Sequence, residues 1–139
     1  VSKRASSYAK YVGVVLVLCH NQRAKANVVE SMKIIGDVQG KNVIILDDMV
    51  DTAGTITKAA DLMIENGALS VRAFASHGVL SDPATERIEK SKLTAIYFTD
   101  SIPLKKESEK IKVLSVADLI ANTIINVNTN KSISSSYLV

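Results

Sequence analysis

The stretch Val43-Ile44-Ile45-Leu46-Asp47-Asp48-Met49-Val50-Asp51-Thr52-Ala53-Gly54-Thr55 passes from continuous apolar residues to two adjacent acids, and then to small and hydroxylic residues. A short β-branched run of this kind predicts a buried strand over residues 42–46 that delivers Asp47 and Asp48 to its C-terminal end. In open α/β sheets that edge is where ligands bind. The turn Thr52-Ala53-Gly54-Thr55 then opens a helix, offering free backbone N–H groups and two hydroxyls, a suitable cradle for an anion. Gly54 lets the backbone approach a phosphate closely. Paired carboxylates beside such a cradle suit the two hydroxyls of a ribose, directly or through Mg²⁺. Acids facing a sugar and amides facing a phosphate describe a phosphoribose clamp. The structural alternative is that the acids merely end a strand while Thr52 or Thr55 caps a helix.

On either side of this segment the hydrophobic spacing switches between helix and strand periods. Ala5, Tyr8, Ala9 and Val12 form the stripe of an opening helix, and residues 12–19 read as a buried, valine-rich strand. Residues 20–27 lack periodicity and are expected to be a loop, followed by a short extended segment over 28–35. After the clamp, Ile56, Ala59, Ala60, Met63 and Ile64 line one helix face, and Asn66-Gly67 close it. Strands are expected over 70–76, 93–98 and 111–114. Asp82 and Pro83 should start a short helix, with Asp82 as N-cap. Ser115 and Asp118 resemble a capping box for a last helix striped by Val116, Leu119, Ile120, Thr123 and Ile124. Strands alternating with helices predict an α/β fold, with a central mainly parallel sheet and helices on both faces.

The 139 residues suffice for one domain, 1–139. Hydrophobic residues make up 47% and charged residues 22%, ordinary for a globular protein. A net charge of +3 raises the question of nucleic acid, but the cations are scattered and aromatics reach only 4%, too few for a stacking platform. The apolar run over 12–18 is far shorter than a membrane helix requires. Cys19 is the single cysteine, which excludes an internal disulfide and points to a reducing, cytoplasmic setting. Burial as a small hydrophobe is the expectation for Cys19, and a structural or interface role for His77.

The clamp string matches the phosphoribosyl diphosphate-binding motif shared by type I phosphoribosyltransferases and the synthetases that make their substrate. Further stretches separate the two groups. Ala26-Asn27-Val28-Val29-Glu30, Ile34-Ile35-Gly36-Asp37-Val38, Ser76-His77-Gly78-Val79-Leu80-Ser81, Thr99-Asp100-Ser101-Ile102-Pro103, Leu114-Ser115-Val116-Ala117 and Ser132-Ile133-Ser134-Ser135 resemble the ribose-phosphate pyrophosphokinases in order and spacing. The resemblance spans nearly the whole chain. It implies a phosphoribosyltransferase-type (type I) fold and the C-terminal domain of a two-domain synthetase. It also implies transfer of the β,γ-pyrophosphoryl group of ATP to the 1-hydroxyl of ribose 5-phosphate with Mg²⁺, and a homo-oligomer built from dimers, up to a hexamer.

Carried over residue by residue, the family's ribose-5-phosphate contacts fall on Asp47 with its neighbour Asp48, and on Asp51, Thr52, Ala53, Gly54 and Thr55. Another falls on Arg23 in the catalytic loop. The family's usual catalytic lysine falls on Asn21, a departure for which Lys25 is a candidate substitute, since a neutral amide supplies no cation to a charged transition state. The resemblance places the ATP contacts and a Mg²⁺-binding aspartate upstream of Val1, so no metal ligand is assigned within the chain. Two other readings fit the same residues, a catalytically silent regulatory subunit of this family and a type I phosphoribosyltransferase.

Overall fold

The computed structural model describes residues 2–22 and 31–134. Its elements are α1 (Ser2–Val12), β1 (Leu18–Gln22), β2 (Ser31–Ile35), β3 (Asn42–Val50), α2 (Gly54–Glu65), β4 (Ser70–Gly78), α3 (Ala84–Lys90), β5 (Ala95–Thr99), β6 (Ile111–Leu114) and α4 (Ala117–Asn128). β3, β4, β5 and β6 form a four-stranded sheet in sequence order, all parallel, with helices flanking it. The expected α/β class with a parallel sheet is what the chain adopts. β1 and β2 pair separately as an antiparallel ribbon, with Asn21 opposite Met32.

The core lies where α2 and α3 meet the sheet. β4 alternates, with Val71, Ala73 and Ala75 buried and Arg72 exposed. Ile56, Ala60 and Met63 of α2 and Ala84 and Ile88 of α3 close over this face, with Ile96 and Phe98 of β5 beneath. Gly67, at φ +89°, ends α2 as the helical spacing predicts. The Gly67 N–H donates to Ile64 O and the Ala68 N–H to Met63 O, both at 3.0 Å, the paired bonds of a Schellman cap. The opposite face is less covered. Phe74 and Tyr97 stack there at 4.5 Å, while Ile44 and Leu46 are exposed.

Several local expectations fail, most of them because a partner distant in sequence decides the outcome; residues 20–22, read as the start of a loop, belong to β1. The apolar run over 12–19 is not a buried strand. α1 ends at Val12, Gly13 turns at φ +74°, Val14 and Val15 are exposed, and the strand begins only at Leu18, where β2 supplies bonds. Cys19 is exposed rather than buried, although partial desolvation pushes its thiol up. Asp82 does not cap α3; it pairs with Lys106 at 2.6 Å, and Pro83 holds the cap position. At the start of α4 Ser115 Oγ accepts the Ala117 N–H at 3.2 Å, as a cap would, but among the described residues no bond from Asp118 back to Ser115 completes a capping box. Ser115 donates to Asp100 Oδ2 at 2.5 Å, the Val116 N–H donates to Asp100 Oδ1 at 3.0 Å, and the α4 stripe buries none of its residues.

Candidate functional site

β3 is longer than the apolar run suggests and carries both acids inside it rather than beyond it. Asp47 lies in register with Ala75, on the face that α2 covers, and strand alternation places Asp48 on the other face. The carboxylate of Asp47 accepts the Asp48 N–H at 2.9 Å. Desolvation is the largest influence on Asp47 and holds its carboxyl above the usual carboxylate range, against the lowering effect of that hydrogen bond. The two acids therefore do not face one ligand as a chelating pair. Among the described residues no group of three or more His, Cys, Asp or Glu is placed to hold a metal ion. The described residues do not make a Mg²⁺ cage.

Beyond β3 the chain is tightly tethered. Val50 is buried, and its carbonyl accepts the N–H groups of Val79 and Leu80 at 3.0 and 3.3 Å. Asp51 and Thr52 are exposed, whereas Ala53 is 4% exposed and sits in the left-handed region at φ 59°, ψ 5°. A non-glycine residue there costs on the order of 1 kcal/mol, so its surroundings must hold it. They do so through its buried methyl and through its carbonyl. That oxygen accepts both the Thr57 N–H at 3.1 Å and the Thr57 hydroxyl at 2.8 Å.

α2 begins at Gly54 with no side-chain cap. The hydroxyls of Thr52 and Thr55 are thus not used for capping, and the amides of Ala53, Gly54, Thr55 and Ile56 have no backbone partner among the described residues. A left-handed residue followed by a helical one turns successive N–H groups toward a common point, the arrangement that binds anions in backbone nests. The loop is chemically suited to a phosphate, with Asp47 and Asp51 close in sequence on either side of Val50.

Two residues touch the loop that the sequence reading gave no role. Thr57 is detectable in principle, because Thr four residues after a turn often back-bonds to its carbonyl. Arg87, in α3, donates from Nη1 to Thr52 O at 3.0 Å, and nothing local in the sequence announces it. A groove of about 360 Å³ between α2 and α3 is lined by Gly54, Lys58, Asp61, Arg87 and Lys90. A second concavity of about 460 Å³, lined by Asp82, Glu86, Glu89, Lys106 and Glu107, is predominantly acidic and unsuited to a phosphate.

Of the other candidates, Asn21 lies in β1, and Arg23 and Lys25 fall outside the described residues. The structure brings Asp47, Asp48, Asp51, Thr52, Ala53, Gly54 and Thr55 onto one strand–loop–helix unit. His77 bonds through Nδ1 to Ser101 Oγ at 2.8 Å. Thr99 and Ser101 both donate to Ser76 O, at 2.6 and 3.1 Å, so His77 joins a hydroxyl network that ties the ends of β4 and β5 together.

Comparison with known proteins agrees with this architecture. The model of the phosphoribosyl synthetase-associated domain matches residues 18–139. The chain belongs to that family. It is 59% identical over 136 residues to a ribose-phosphate pyrophosphokinase of Porphyromonas gingivalis, and 52% identical over 135 residues to one of Wolinella succinogenes. Those matches take in 98% and 97% of this chain but 44% of each relative, so the chain spans less than half the length of the proteins it resembles. The crystal structure of phosphoribosylpyrophosphate synthetase from Mycobacterium smegmatis superposes with a TM-score of 0.82 at 39% identity, covering 92% of this chain and 42% of that one. No described helix is long and apolar enough to cross a membrane.

Proposed function

We propose that this chain is the ribose-5-phosphate-binding, C-terminal domain of a two-domain ribose-phosphate diphosphokinase. In the proposed reaction the 1-hydroxyl oxygen of ribose 5-phosphate attacks the β-phosphorus of ATP, its proton is lost, and AMP leaves. The β,γ-pyrophosphoryl group then resides on the sugar as phosphoribosyl diphosphate. One observation carries the reading: an uncapped helix start at Gly54, entered through a left-handed Ala53, directly follows the strand that bears Asp47. In this role the amides of residues 53–56 and the Thr52 and Thr55 hydroxyls hold the 5-phosphate. Asp47 and Asp51 accept hydrogen bonds from the ribose hydroxyls. Such positioning supplies much of the barrier reduction in phosphoryl transfer.

The chain covers 44% of its relatives, which supports placing the ATP contacts on the remainder of a longer protein. Asn21, where the family's lysine is expected, favours a second reading as a silent regulatory subunit. Titration calorimetry tests the first. The chain should bind ribose 5-phosphate weakly and unphosphorylated ribose not measurably, and joint replacement Gly54→Val and Thr55→Val should remove binding. Equal heats for the double variant and the wild type would sink the assignment. The purified chain alone should make no phosphoribosyl diphosphate from ATP.

A further inference from the structure

We infer that Arg87 is a positioning residue that aims the Ala53 amide at the ligand. This inference rests on the reading that the loop holds a phosphate. A trans peptide is planar, with its C=O and N–H pointing in opposite directions. Arg87 Nη1 holds the Thr52 carbonyl at 3.0 Å. The N–H across that same peptide belongs to Ala53 and is consequently turned away from α3. The next peptide is pinned in the same manner. Thr57 takes the Ala53 carbonyl with both its N–H and its hydroxyl, which directs the Gly54 N–H back out of the helix start. Two consecutive amides are thus set by two carbonyl anchors, one on α2 itself and the other 35 residues away on α3.

The anchor from α3 does most for the strained position. Ala53 at φ 59° has an ordinary right-handed or extended alternative that costs nothing in backbone strain. Rotating the Thr52–Ala53 peptide toward that alternative would swing the Thr52 carbonyl off Arg87. Arg87 is exposed and joins no buried cluster, so its removal spares the core. Its planar guanidinium is suited to holding a carbonyl at fixed orientation, which a lysine does with less geometric control.

The test compares the wild-type chain with Arg87→Met and Arg87→Lys, measuring ribose 5-phosphate affinity by calorimetry, thermal unfolding, and the Ala53 amide in a ¹⁵N–¹H spectrum. Arg87→Met should weaken ribose 5-phosphate binding about three- to tenfold, the scale of one exposed charge-assisted hydrogen bond acting through a single amide. Unfolding should stay close to wild type, and the Ala53 amide should lose most of its ligand-induced shift. Arg87→Lys should recover part of both. The affinity loss should persist at about 0.5 M salt, where long-range attraction between exposed charges is largely screened. A loss that vanishes with salt would overturn positioning in favour of simple charge. So would equal affinity in wild type and Arg87→Met, or a large drop in unfolding temperature that Arg87→Lys shares. Failure of the wild-type chain itself to bind ribose 5-phosphate would overturn the phosphate reading, and this inference with it.

Discussion

Gly54 and Gly78 should respond to alanine with opposite signs. A methyl built at Gly78 would lie 2.9 Å from Phe98 Cγ, 3.0 Å from Cδ1 and 3.2 Å from Cδ2. Phe98 is 2% exposed and packed on all sides, so the ring cannot swing clear. Ordinary carbon contacts begin near 3.5 Å, and relieving the overlap means moving either ring or strand by about half an ångström. Overpacking of this kind costs about 1–3 kcal/mol. At Gly54 the methyl would meet Arg87 Nη1 at 3.6 Å and Thr52 Oγ1 at 3.9 Å, and φ there is not positive. No clash or strain opposes it, and the unfolded chain loses freedom, so Gly54→Ala should stabilise by about 0.4–1 kcal/mol. With roughly 2–8 °C per kcal/mol in domains of this size range, thermal unfolding should fall several degrees for Gly78→Ala and rise a few for Gly54→Ala. Circular dichroism melts of the 139-residue chain decide the matter. Shifts of the same sign would refute the packing argument. The Gly54→Ala variant also isolates why a glycine stands there. Unchanged affinity for ribose 5-phosphate in a stabilised protein would remove close approach from the account, and weakened affinity would assign it.

Asp47→Asn should weaken ribose 5-phosphate binding about ten- to a hundredfold at pH 7, measured by calorimetry, because charged hydrogen bonds to the sugar are lost. Asp47 is exposed, so the partial desolvation that raises its pKa in the fold gives only a small, solvent-screened stability cost to the ionised carboxylate above that value and none below the unfolded value; melts across pH should therefore show Asp47→Asn slightly ahead of wild type at neutral pH, with the gap closing as pH falls through the raised pKa. Asn21→Lys, in the full-length protein, should raise kcat at least tenfold with ribose 5-phosphate affinity nearly unchanged, if the absent lysine acts on the transition state. Abolished turnover in Lys25→Ala, partly restored by Asn21→Lys, would assign Lys25 as its substitute.

How much was legible in the sequence follows from the range of the forces involved. β6 falls on residues 111–114 as expected, and the glycine that closes α2 was visible from residue type alone. Both are set by local chemistry. Asp82 looks like a helix cap by every local rule, yet Lys106 claims it from another loop; Ser115 does accept the Ala117 N–H, but its hydroxyl donates to Asp100 and Asp118 takes no part. The run over 12–19 was apolar enough for a strand, but a strand also needs an edge to pair with, and β2 offers one only from Leu18 onward. At the site, the order of strand, acids, turn and helix was legible. Its key conformation was not. Residue type would assign the positive φ to Gly54, whereas the fold gives it to Ala53, whose methyl is buried and whose carbonyl Thr57 holds.

That displacement bears on how the loop would bind. A loop whose left-handed residue is glycine is free to relax when empty, and it must be ordered again by each ligand. Here the ordering is done during folding. Val50 is tied to the exit of β4 through two amides, Thr52 to Arg87, and Ala53 to Thr57 and the core. Each tether uses a carbonyl, so the N–H groups on the same peptides are left over, facing out. Satisfying the acceptors internally while leaving the donors unused is what a site for an anion requires, and it lowers the entropy lost on binding. The exposed hydroxyls of Thr52 and Thr55 and the elevated, partly desolvated Asp47 follow the same logic. Under the proposed function, a phosphorylated sugar supplies the further partners that complete them.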